Sequence, residues 1–564
     1  MEVRLLIAFV LMGLVIVWQY SMRPLPTPAA PSGPAAKTAQ TAPDQAPSQA
    51  KAQAPASTPV HVAAPVEVPG QIQAGSEESF AIDTDVFRVR FSNRGGVVKS
   101  WILKTYKDHA GQPLELVNPR AIEKVAPPFA FTFKGQAPAA DLNAALYKVT
   151  SSDEGRHVTF EYSDGRTAAT KTFKFTPSSF LVEVTSEVVS NGIRIPHELA
   201  WRGGFGDATV ANPVADQHAL YYDLANSKLN QVQLKAAKDG PVTSSGQYSF
   251  AGLEDHYFAG VFLPATPKDS SKPSVDLTTF SDAVPNISGV DEQRIGAGVG
   301  GEAENQFTFF AGPKDTSLLG KVDPKLDQLI DWGTWFGFIA KPLFFWVLKP
   351  AADHITHNYG WAIVLVTVGI NMVLFPLRLT SMKSSKKMQA LQPQIQAIND
   401  KYKSLPLRDP KKADQQAELM ELYKKNGVNP VGGCLPMVLQ LPVLISFYTV
   451  LGVAIELRGA SWLWVHDLSQ AETLPIHILP LLVVVTQFIS QKMTPSPGMD
   501  PTQAKMMLFM PLMFGYMFYF YSAGLALYWF TGGLVSIVQQ LLLNQIMPTP
   551  PMAAPPKPAA KKKR

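Results

Sequence analysis

The sequence is poor in cysteine and in charge. Its 564 residues include one cysteine, Cys434, which lies in a hydrophobic stretch, so disulfide bonds and a cysteine-type metal site are excluded. Charged residues are 17% of the chain, against about 25% in soluble domains. A glycine-rich phosphate loop is also missing, because the nearest candidate, at 94–99, lacks the required spacing. These absences direct attention to membrane segments and away from nucleotide chemistry.

Charges are missing altogether from five stretches, which predict membrane-spanning helices. A helix rises 1.5 Å per residue, so about 20 residues cross the hydrocarbon core. The last stretch is long enough for two helices with a turn at 522–524, which makes six predicted spans. The five stretches are 5–22, 358–377, 426–455, 473–491 and 506–556.

Lysine and arginine are distributed unevenly between the loops. The loop 378–425 carries eleven basic and five acidic residues, and the tail ends in four consecutive basic residues. The loop 456–472 has one arginine against three acidic residues. Because positive loops stay in the cytoplasm, we expect both termini and the loop 378–425 to be cytoplasmic, with 24–350 and 456–472 outside.

The N-terminal half divides into three parts. The apolar stretch after Arg4 predicts a retained signal anchor, since no small-residue cleavage site follows Trp18; a cleavable signal peptide is the alternative. The proline- and alanine-rich residues 24–76 predict a disordered tether. Residues 77–320 alternate apolar and polar side chains between glycine, asparagine and aspartate turns, for example at 87–91 and 171–175, and predict a large β-sandwich.

Two further segments have amphipathic patterns. The aromatic residues of 321–350, interrupted by Asp331, Lys341 and Pro342, predict a helix in the membrane interface, or an elbow that serves only as an anchor. In the loop 380–427 two apolar stripes predict an antiparallel helical hairpin, with Pro393 marking a kink or a late helix start. Its basic surface favours either docking of ribosomal RNA, targeting factors or anionic lipid, or a plain solvated loop.

Polar side chains recur within the predicted spans. Thr367 and Asn371 are four residues apart and share a helix face, while Gln440 lies between two prolines. A single polar residue per helix is usually structural, but amides occur in four of the five clustered spans. This pattern predicts a hydrated groove within the bundle. The remaining polar positions are Gln487, Gln491 and the stripe Trp529, Gly533, Ser536 and Gln540.

Several ordered motifs resemble those of the YidC membrane protein insertase family. They include NPVGGCLP at 429–436 followed by QLP at 440–442, LQP at 391–393, and WVHDL at 464–468. The resemblance covers nearly the whole chain. It implies a bacterial inner-membrane insertase that is not an enzyme, with a periplasmic domain of mutarotase-like fold that has kept no activity.

One position departs from the family pattern. Members of the family usually carry an arginine in the second span, and the matching position here is Asn371. The nearest arginine, Arg378, is seven residues further along, about 10 Å on a straight helix. Either Arg378 turns back toward the groove or the groove is polar and uncharged. The distance favours the uncharged groove.

The predicted function is insertion of newly made membrane proteins into lipid through this groove, without nucleotide, cofactor or metal. The expected partners are nascent membrane proteins, the lipid bilayer, and the ribosome with its RNA. The general secretion translocon is a further candidate partner, and DNA is not expected. The predicted groove consists of Thr367, Asn371, Gln440, Trp529 and Ser536; the client-contact face of Leu441, Met510 and Met513; and the ribosome-contact residues of Lys386, Lys387, Lys411, Lys412, Lys561, Lys562, Lys563 and Arg564.

Two other functions fit parts of the sequence. A small-molecule transporter would need internal repeats or matching broken helices, and no repeat is evident. A carbohydrate-binding or carbohydrate-modifying β domain could use Trp101 and Trp201. Its candidate carboxylates are singled out by type alone, because no spacing marks a catalytic pair: they are Asp83, Asp85, Glu161 and Asp207.

The predicted fold class is therefore a polytopic α-helical membrane protein with six spans, five of them in a common core, plus an all-β sandwich and a helical hairpin. The predicted boundaries are 1–23 signal anchor, 24–76 tether, 77–320 β-sandwich, 321–350 interfacial helix, 351–379 second span, 380–427 cytoplasmic hairpin, 428–456 third span, 457–472 periplasmic loop, 473–491 fourth span, 492–504 cytoplasmic loop, 505–522 fifth span, 525–546 sixth span and 547–564 basic tail.

Overall fold

The structure is a computed structural model that describes residues 67–546, with gaps at 109–110, 136, 153–154, 210–215, 266–272, 334, 403–410, 429–434 and 494–500. All of these residues belong to one compact unit, 65–564. The predicted signal anchor, nearly all of the tether and the basic tail lie outside the described residues.

The described residues between 79 and 313 form three antiparallel sheets. The first has the order β1-β2-β3-β4: Ser79–Asp83, Phe87–Ser92, Val97–Lys107 and Pro113–Glu115. The second has the order β13-β12-β15-β16-β19-β9-β8-β7-β6, with β10 beside β9: Lys228–Gln233, His218–Asp223, Tyr248–Glu254, Phe258–Pro264, Glu304–Pro313, Leu181–Ser190, Thr167–Phe175, His157–Ser163, Lys148–Ser152 and Ile193–Arg194. The third has the order β14-β17-β18-β11-β5: Val242–Gly246, Val275–Pro285, Asp291–Gly300, Glu198–Trp201 and Ala130–Thr132. The prediction of a large β domain is confirmed.

Side-chain alternation builds the core of the β domain. In β2 the side chains of Phe87, Val89 and Phe91 are buried while the residues between them are exposed. The ring of Phe91 lies 5.0 Å from that of Phe173 in β8. The turn before β3 needs glycine, because Gly96 has a φ of +54° and a Cβ there would lie 3.2 Å from Phe160.

The same alternation buries a lysine. Lys171 shares the inward face of β8 with Phe173, and its ammonium group donates to the carbonyl oxygens of Gly95 at 2.8 Å and Phe129 at 2.6 Å. It also lies 4.0 Å from the ring centre of Phe131. Burial lowers the pKa of Lys171 well below its ordinary value. The carbonyl acceptors explain why the group is tolerated in an apolar core.

A segment of short helices follows the β domain. Helix α1 is Thr316–Val322, a 3₁₀ turn follows at Pro324–Leu329, and helix α2 is Gly337–Pro342. Wider π-helical turns continue at Leu343–Leu348 and Ala351–Thr356. The segment predicted as one interfacial helix is therefore broken, since prolines 342 and 350 cannot donate the usual helical hydrogen bond.

This segment presents aromatic side chains on its surface. Trp335 is 82% exposed, Phe338 74% and Trp346 79%. Exposed tryptophan and phenylalanine are typical of a membrane interface. The interfacial location stays a prediction.

The rest of the described chain is helical. Helices α3 to α10 are Tyr359–Val373, Phe375–Ala390, Gln392–Lys401, Lys411–Lys425, Leu435–Val453, Ile478–Met493, Pro501–Tyr519 and Ala523–Ile546. Among the described residues, only α10 is by itself long and apolar enough to cross a membrane, and α3 with α4 forms a second candidate if the bent pair is one span. The expectation of six spans stays a prediction.

The predicted second span is not one straight helix. Helix α3 ends at Val373, α4 begins at Phe375, and the two axes differ by 56°. Pro376 lies in the first turn of α4, where its missing N–H group is best tolerated. Because of the bend, the residues of α4 face other directions than they would in a straight continuation of α3.

Helices α5 and α6 contact each other. Leu391, Ile395 and Val428 form a small buried cluster between them, and Gln415 donates to the Asn399 side chain at 2.8 Å. Pro393 lies in the first turn of α5, so its prediction as a late helix start is confirmed. The cytoplasmic, antiparallel hairpin itself stays a prediction.

Candidate functional site

Helices α3, α4 and α10 share a hydrogen-bonded group of polar side chains, which we call the polar cluster: Thr367, Asn371, Arg378, Ser536 and Gln539. Gln539 donates to the backbone carbonyl of Asn371 at 3.2 Å. Arg378 donates to the Gln539 side-chain oxygen at 2.7 Å and to the Ser536 hydroxyl. Three of the predicted groove residues therefore lie together.

Within the cluster, α3 contributes side chains that bond to their own helix. The Thr367 hydroxyl donates to the carbonyl of Ile363 at 2.6 Å, and the Asn371 amide donates to the carbonyl of Thr367 at 2.8 Å. Thr367 is fully buried and Asn371 is partly buried. These two side chains make this face of α3 polar, but neither carries a charge.

That charge comes from Arg378, contrary to expectation. The sequence favoured an uncharged groove because seven residues of straight helix separate Arg378 from Asn371. The bend after Val373 redirects α4, so the guanidinium group of Arg378 contacts α10. Among the described residues, no carboxylate lies within ion-pair distance of Arg378. Its guanidinium group therefore donates only to neutral oxygen acceptors.

The predicted stripe on α10 divides into two faces. Ser536 and Gln539 face α3 and α4. Gly533 packs against Thr486 of α8, and Gln540 donates to the carbonyl of Met493 at the end of α8 at 3.4 Å. The predicted stripe includes Gln540, although not as a groove residue, and omits Gln539, which is three residues from Ser536 and therefore shares its face.

Gln440 and Trp529 lie apart from the polar cluster. Gln440 of α7 donates to the Tyr528 hydroxyl at 3.1 Å, and the Tyr528 ring stacks on Phe447 at 4.4 Å. Tyr528 precedes Ser536 by eight residues, about 12 Å along α10. Trp529 packs against Phe514 and Phe518 of α9, at 5.5 and 5.3 Å between ring centres. The five predicted groove residues thus form more than one contact group.

The predicted client-contact residues lie on α7 and α9. Met513 is 61% exposed and Met510 37% exposed, while Leu441 is partly buried. Methionine side chains adapt to varied shapes. Exposure of Met510 and Met513 keeps them available to a client, and their role stays a prediction.

Four of the eight predicted basic contact residues lie in the described part of the chain. Lys387 is exposed on α4, and Lys386 on the same helix approaches the backbone carbonyl of Leu543 at 3.5 Å. Lys411 and Lys412 begin α6. The four residues 561–564 lie outside the described part of the chain.

Four of the six residues named for carbohydrate chemistry are engaged in other contacts. Trp101 and Trp201 are buried in the core, where their ring centres are 6.1 Å apart. Asp83 lies beside Lys104 and Arg88, and the hydrogen bond from Lys104, with that from Arg88, lowers the pKa of its carboxyl group. Asp207 instead pairs with Arg458, in the loop after α7.

Comparisons with known proteins match both halves of the chain. The family model described as "YidC periplasmic domain" matches residues 79–346, and the one described as "60Kd inner membrane protein" matches residues 351–550. The "Membrane protein insertase YidC" of Ralstonia nicotianae is 33% identical over 502 residues, which cover 86% of each chain. That of Burkholderia lata is 36% identical over 414 residues, covering 72% of this chain and 71% of the relative.

A solved structure is also similar. It is described as "Active YidC insertase crystal structure with the first transmembrane domain resolved". It is 20% identical, covers 84% of this chain and 94% of its own, and has a TM-score of 0.34.

Proposed function

The chain belongs to the YidC family of membrane protein insertases, and from that premise we propose that it passes client spans into lipid along the polar cluster. The family membership makes it an inner-membrane protein with a periplasmic β domain that acts on membrane proteins. The observation that carries the proposed route is the guanidinium group of Arg378 bound to Ser536 and Gln539.

The physical problem in insertion is the polar segment that flanks a client span. When such a segment enters hydrocarbon, its backbone and its charged side chains lose their hydrogen bonds to water. Each polar group left unpaired costs several kcal/mol. The polar cluster offers hydroxyl and amide partners together with one positive charge. We therefore expect it to lower the barrier most for clients whose flanking segment is acidic.

The apolar part of the client needs a different surface. In this proposal it moves along Leu441 of α7 and the exposed Met510 and Met513 of α9. Burial of its apolar area drives the step at about 25 cal/mol per Å². The protein then lowers a barrier without nucleotide or cofactor.

The topology of six spans with both termini in the cytoplasm belongs to the same proposal. It would put the basic residues of 380–427 and 561–564 on the cytoplasmic side. There they would meet the ribosome that delivers the client, with the general secretion translocon as a further neighbour. The contact between α5 and α6 around Leu391 and Ile395 supports a hairpin as the docking element.

The route is tested by moving its charge. We expect R378Q to slow insertion of an acidic-flanked single-span client by about tenfold or more, because a hydrogen bond to a charged group contributes about 1.5–3 kcal/mol. R378K should retain part of the activity, and the double variant N371R/R378Q should recover it. The matched control is K383Q, which removes an exposed charge from the same helix.

Cross-linking defines the path of the client. Ribosomes stalled on a short single-span chain are mixed with the full-length protein carrying a photo-reactive residue at Leu441, Met510 or Asn371 in turn. Adducts at all three positions, and none with a matched soluble client, are expected. The polar cluster is excluded as the route if the R378Q protein accumulates and folds in the membrane and still inserts clients normally. It is also excluded if no adduct forms at Asn371.

A further inference from the structure

The β domain contains a cleft that the insertion route does not use. Its volume is about 450 Å³, within the range of small-molecule sites. The cleft lies where β12 and β13 of the ten-stranded sheet face β17 and β18 of the five-stranded sheet, and the 3₁₀ turn Leu234–Ala237 forms one wall. The lining residues used below are Gln217, Lys235, Lys238, Ser281 and Gln293.

The charge of the cleft is positive. Lys235 and Lys238 both line it, and no carboxylate of the described part of the chain does. Among the described residues, neither lysine has an acidic side chain within ion-pair distance. Two ammonium groups without a counterion at one cleft favour an anionic ligand.

The neutral groups add a requirement for hydrogen bonds. Gln217 is 4% exposed and donates to the carbonyl of Phe205 at 2.6 Å, so its amide group belongs to the floor of the cleft and is closed to a ligand. On the opposite wall the Ser281 hydroxyl donates to the Gln293 oxygen at 2.8 Å, which leaves the Gln293 NH₂ group to serve as a donor.

We propose that this cleft binds a small anion that also carries hydroxyl groups, of the kind found in sugar acids and sugar phosphates. The anionic group of the ligand pairs with Lys235 and Lys238. Its hydroxyl groups accept from the NH₂ group of Gln293. A plain inorganic anion satisfies only the lysines, and a neutral sugar satisfies only the Gln293 amide.

The test uses the full-length protein in nanodiscs and isothermal titration calorimetry. The probes are glucose 6-phosphate, glucuronate, glucose and inorganic phosphate. We expect both hydroxylated anions to bind more tightly than glucose or phosphate. The double variant K235Q/K238Q should weaken their binding about tenfold or more, because each lysine supplies a charged hydrogen bond.

The matched control is K228Q, which removes an exposed lysine at the far end of β13. It should leave binding unchanged. Phosphate binding as tightly as glucose 6-phosphate would overturn the proposal, as would the absence of binding by any probe or equal binding by K235Q/K238Q. The tighter of glucose 6-phosphate and glucuronate identifies which anionic group the cleft accepts. Client insertion is measured separately, so failure here leaves the proposed insertion route untouched.

Discussion

Arg458 and Asp207 form a buried ion pair between the loop after α7 and the β domain. Their side chains are 6% and 2% exposed. The same guanidinium group donates to the backbone carbonyl of Lys107 at 2.9 Å and lies 5.4 Å from the ring centre of Tyr257. The β domain is therefore held to the membrane helices at a second place, far in sequence from the covalent connection at 314–358.

Removing one partner of this pair should loosen the attachment. We expect R458A to weaken docking by about 3–5 kcal/mol, because it leaves Asp207 as an uncompensated buried charge. Hydrogen–deuterium exchange of the turn 254–258, which contacts this loop, should rise strongly. The control R88A breaks the exposed Arg88–Asp83 pair and should leave that exchange unchanged. Unchanged exchange in R458A would show that the pair does not hold the two parts together.

The same attachment should depend on pH through His256. Its Nε2 atom lies 2.7 Å from the carbonyl of Gly452 at the end of α7, and its Nδ1 atom lies 3.5 Å from the Asp216 carboxylate. Burial alone would lower the pKa of His256, but the hydrogen bonds to Asp216 and Gly452 outweigh it and raise the pKa above 6.5, with Lys314 opposing them.

A raised pKa means that His256 binds its proton more tightly when the β domain is docked on α7 than when the two are apart. The stabilisation is complete below pH 6.5 and is lost as the pH rises through the raised pKa. Exchange of 254–258, corrected for its intrinsic rate, should therefore be slower at pH 5.5 than at pH 8. H256Q can still donate to Gly452 but cannot take up a proton, so it should lose this pH dependence. A pH dependence retained in H256Q would assign the effect to another group.

Glu198 should make the β domain less stable at higher pH. Burial raises its pKa from 4.5 to about 7, although Thr278 donates to it and Lys134 lies 3.7 Å away. The folded state thus favours the protonated form, and stability is lost as the pH rises from about 4.5 to 7. E198Q should flatten the dependence of the melting temperature on pH in this range. The exposed control E183Q should keep the wild-type profile.

Two neighbouring glycines of α10 should respond differently to alanine. A Cβ at Gly533 would lie 2.9 Å from the Thr486 hydroxyl oxygen and 3.1 Å from its Cβ, so G533A must push α10 away from α8. A Cβ at Gly532 would meet only the Thr367 methyl group at 3.9 Å. We expect G532A to be neutral or to stabilise by up to about 1 kcal/mol. G533A should lower the melting temperature in detergent, and equal melting of the two variants would contradict the packing.

Period-2 alternation was a sound guide to the β domain. It identified the strands around Phe91 and Phe173 because a strand with one buried face alternates whatever lies opposite. The alternation places Lys171 on the same buried face but does not show which groups accept hydrogen bonds from it. The carbonyl groups that receive its ammonium come from residues 42 and 76 positions away.

The polar cluster shows the same division. The spacing of Thr367 and Asn371 predicted a shared polar face, but a straight helix was the wrong assumption for Arg378. The 56° bend lies between Val373 and Phe375, next to Pro376; a proline marks a possible bend in the sequence but gives neither its angle nor its direction. In the same way the sequence marks Asp207 only as a carboxylate, because its partner Arg458 lies 251 residues away.

Patterns in the sequence are enough to identify the family, the division into a β domain and apolar helices, and the residue types that face inward. Hydropathy and periodicity are local properties, and ordered motifs identify a family without coordinates. The positions of charge, in contrast, depend on the folded chain: Arg378 lies against Ser536, and Arg458 lies against Asp207. Such pairings join residues more than a hundred positions apart, and their energies depend on burial and on helix direction, which arise only when the chain has folded.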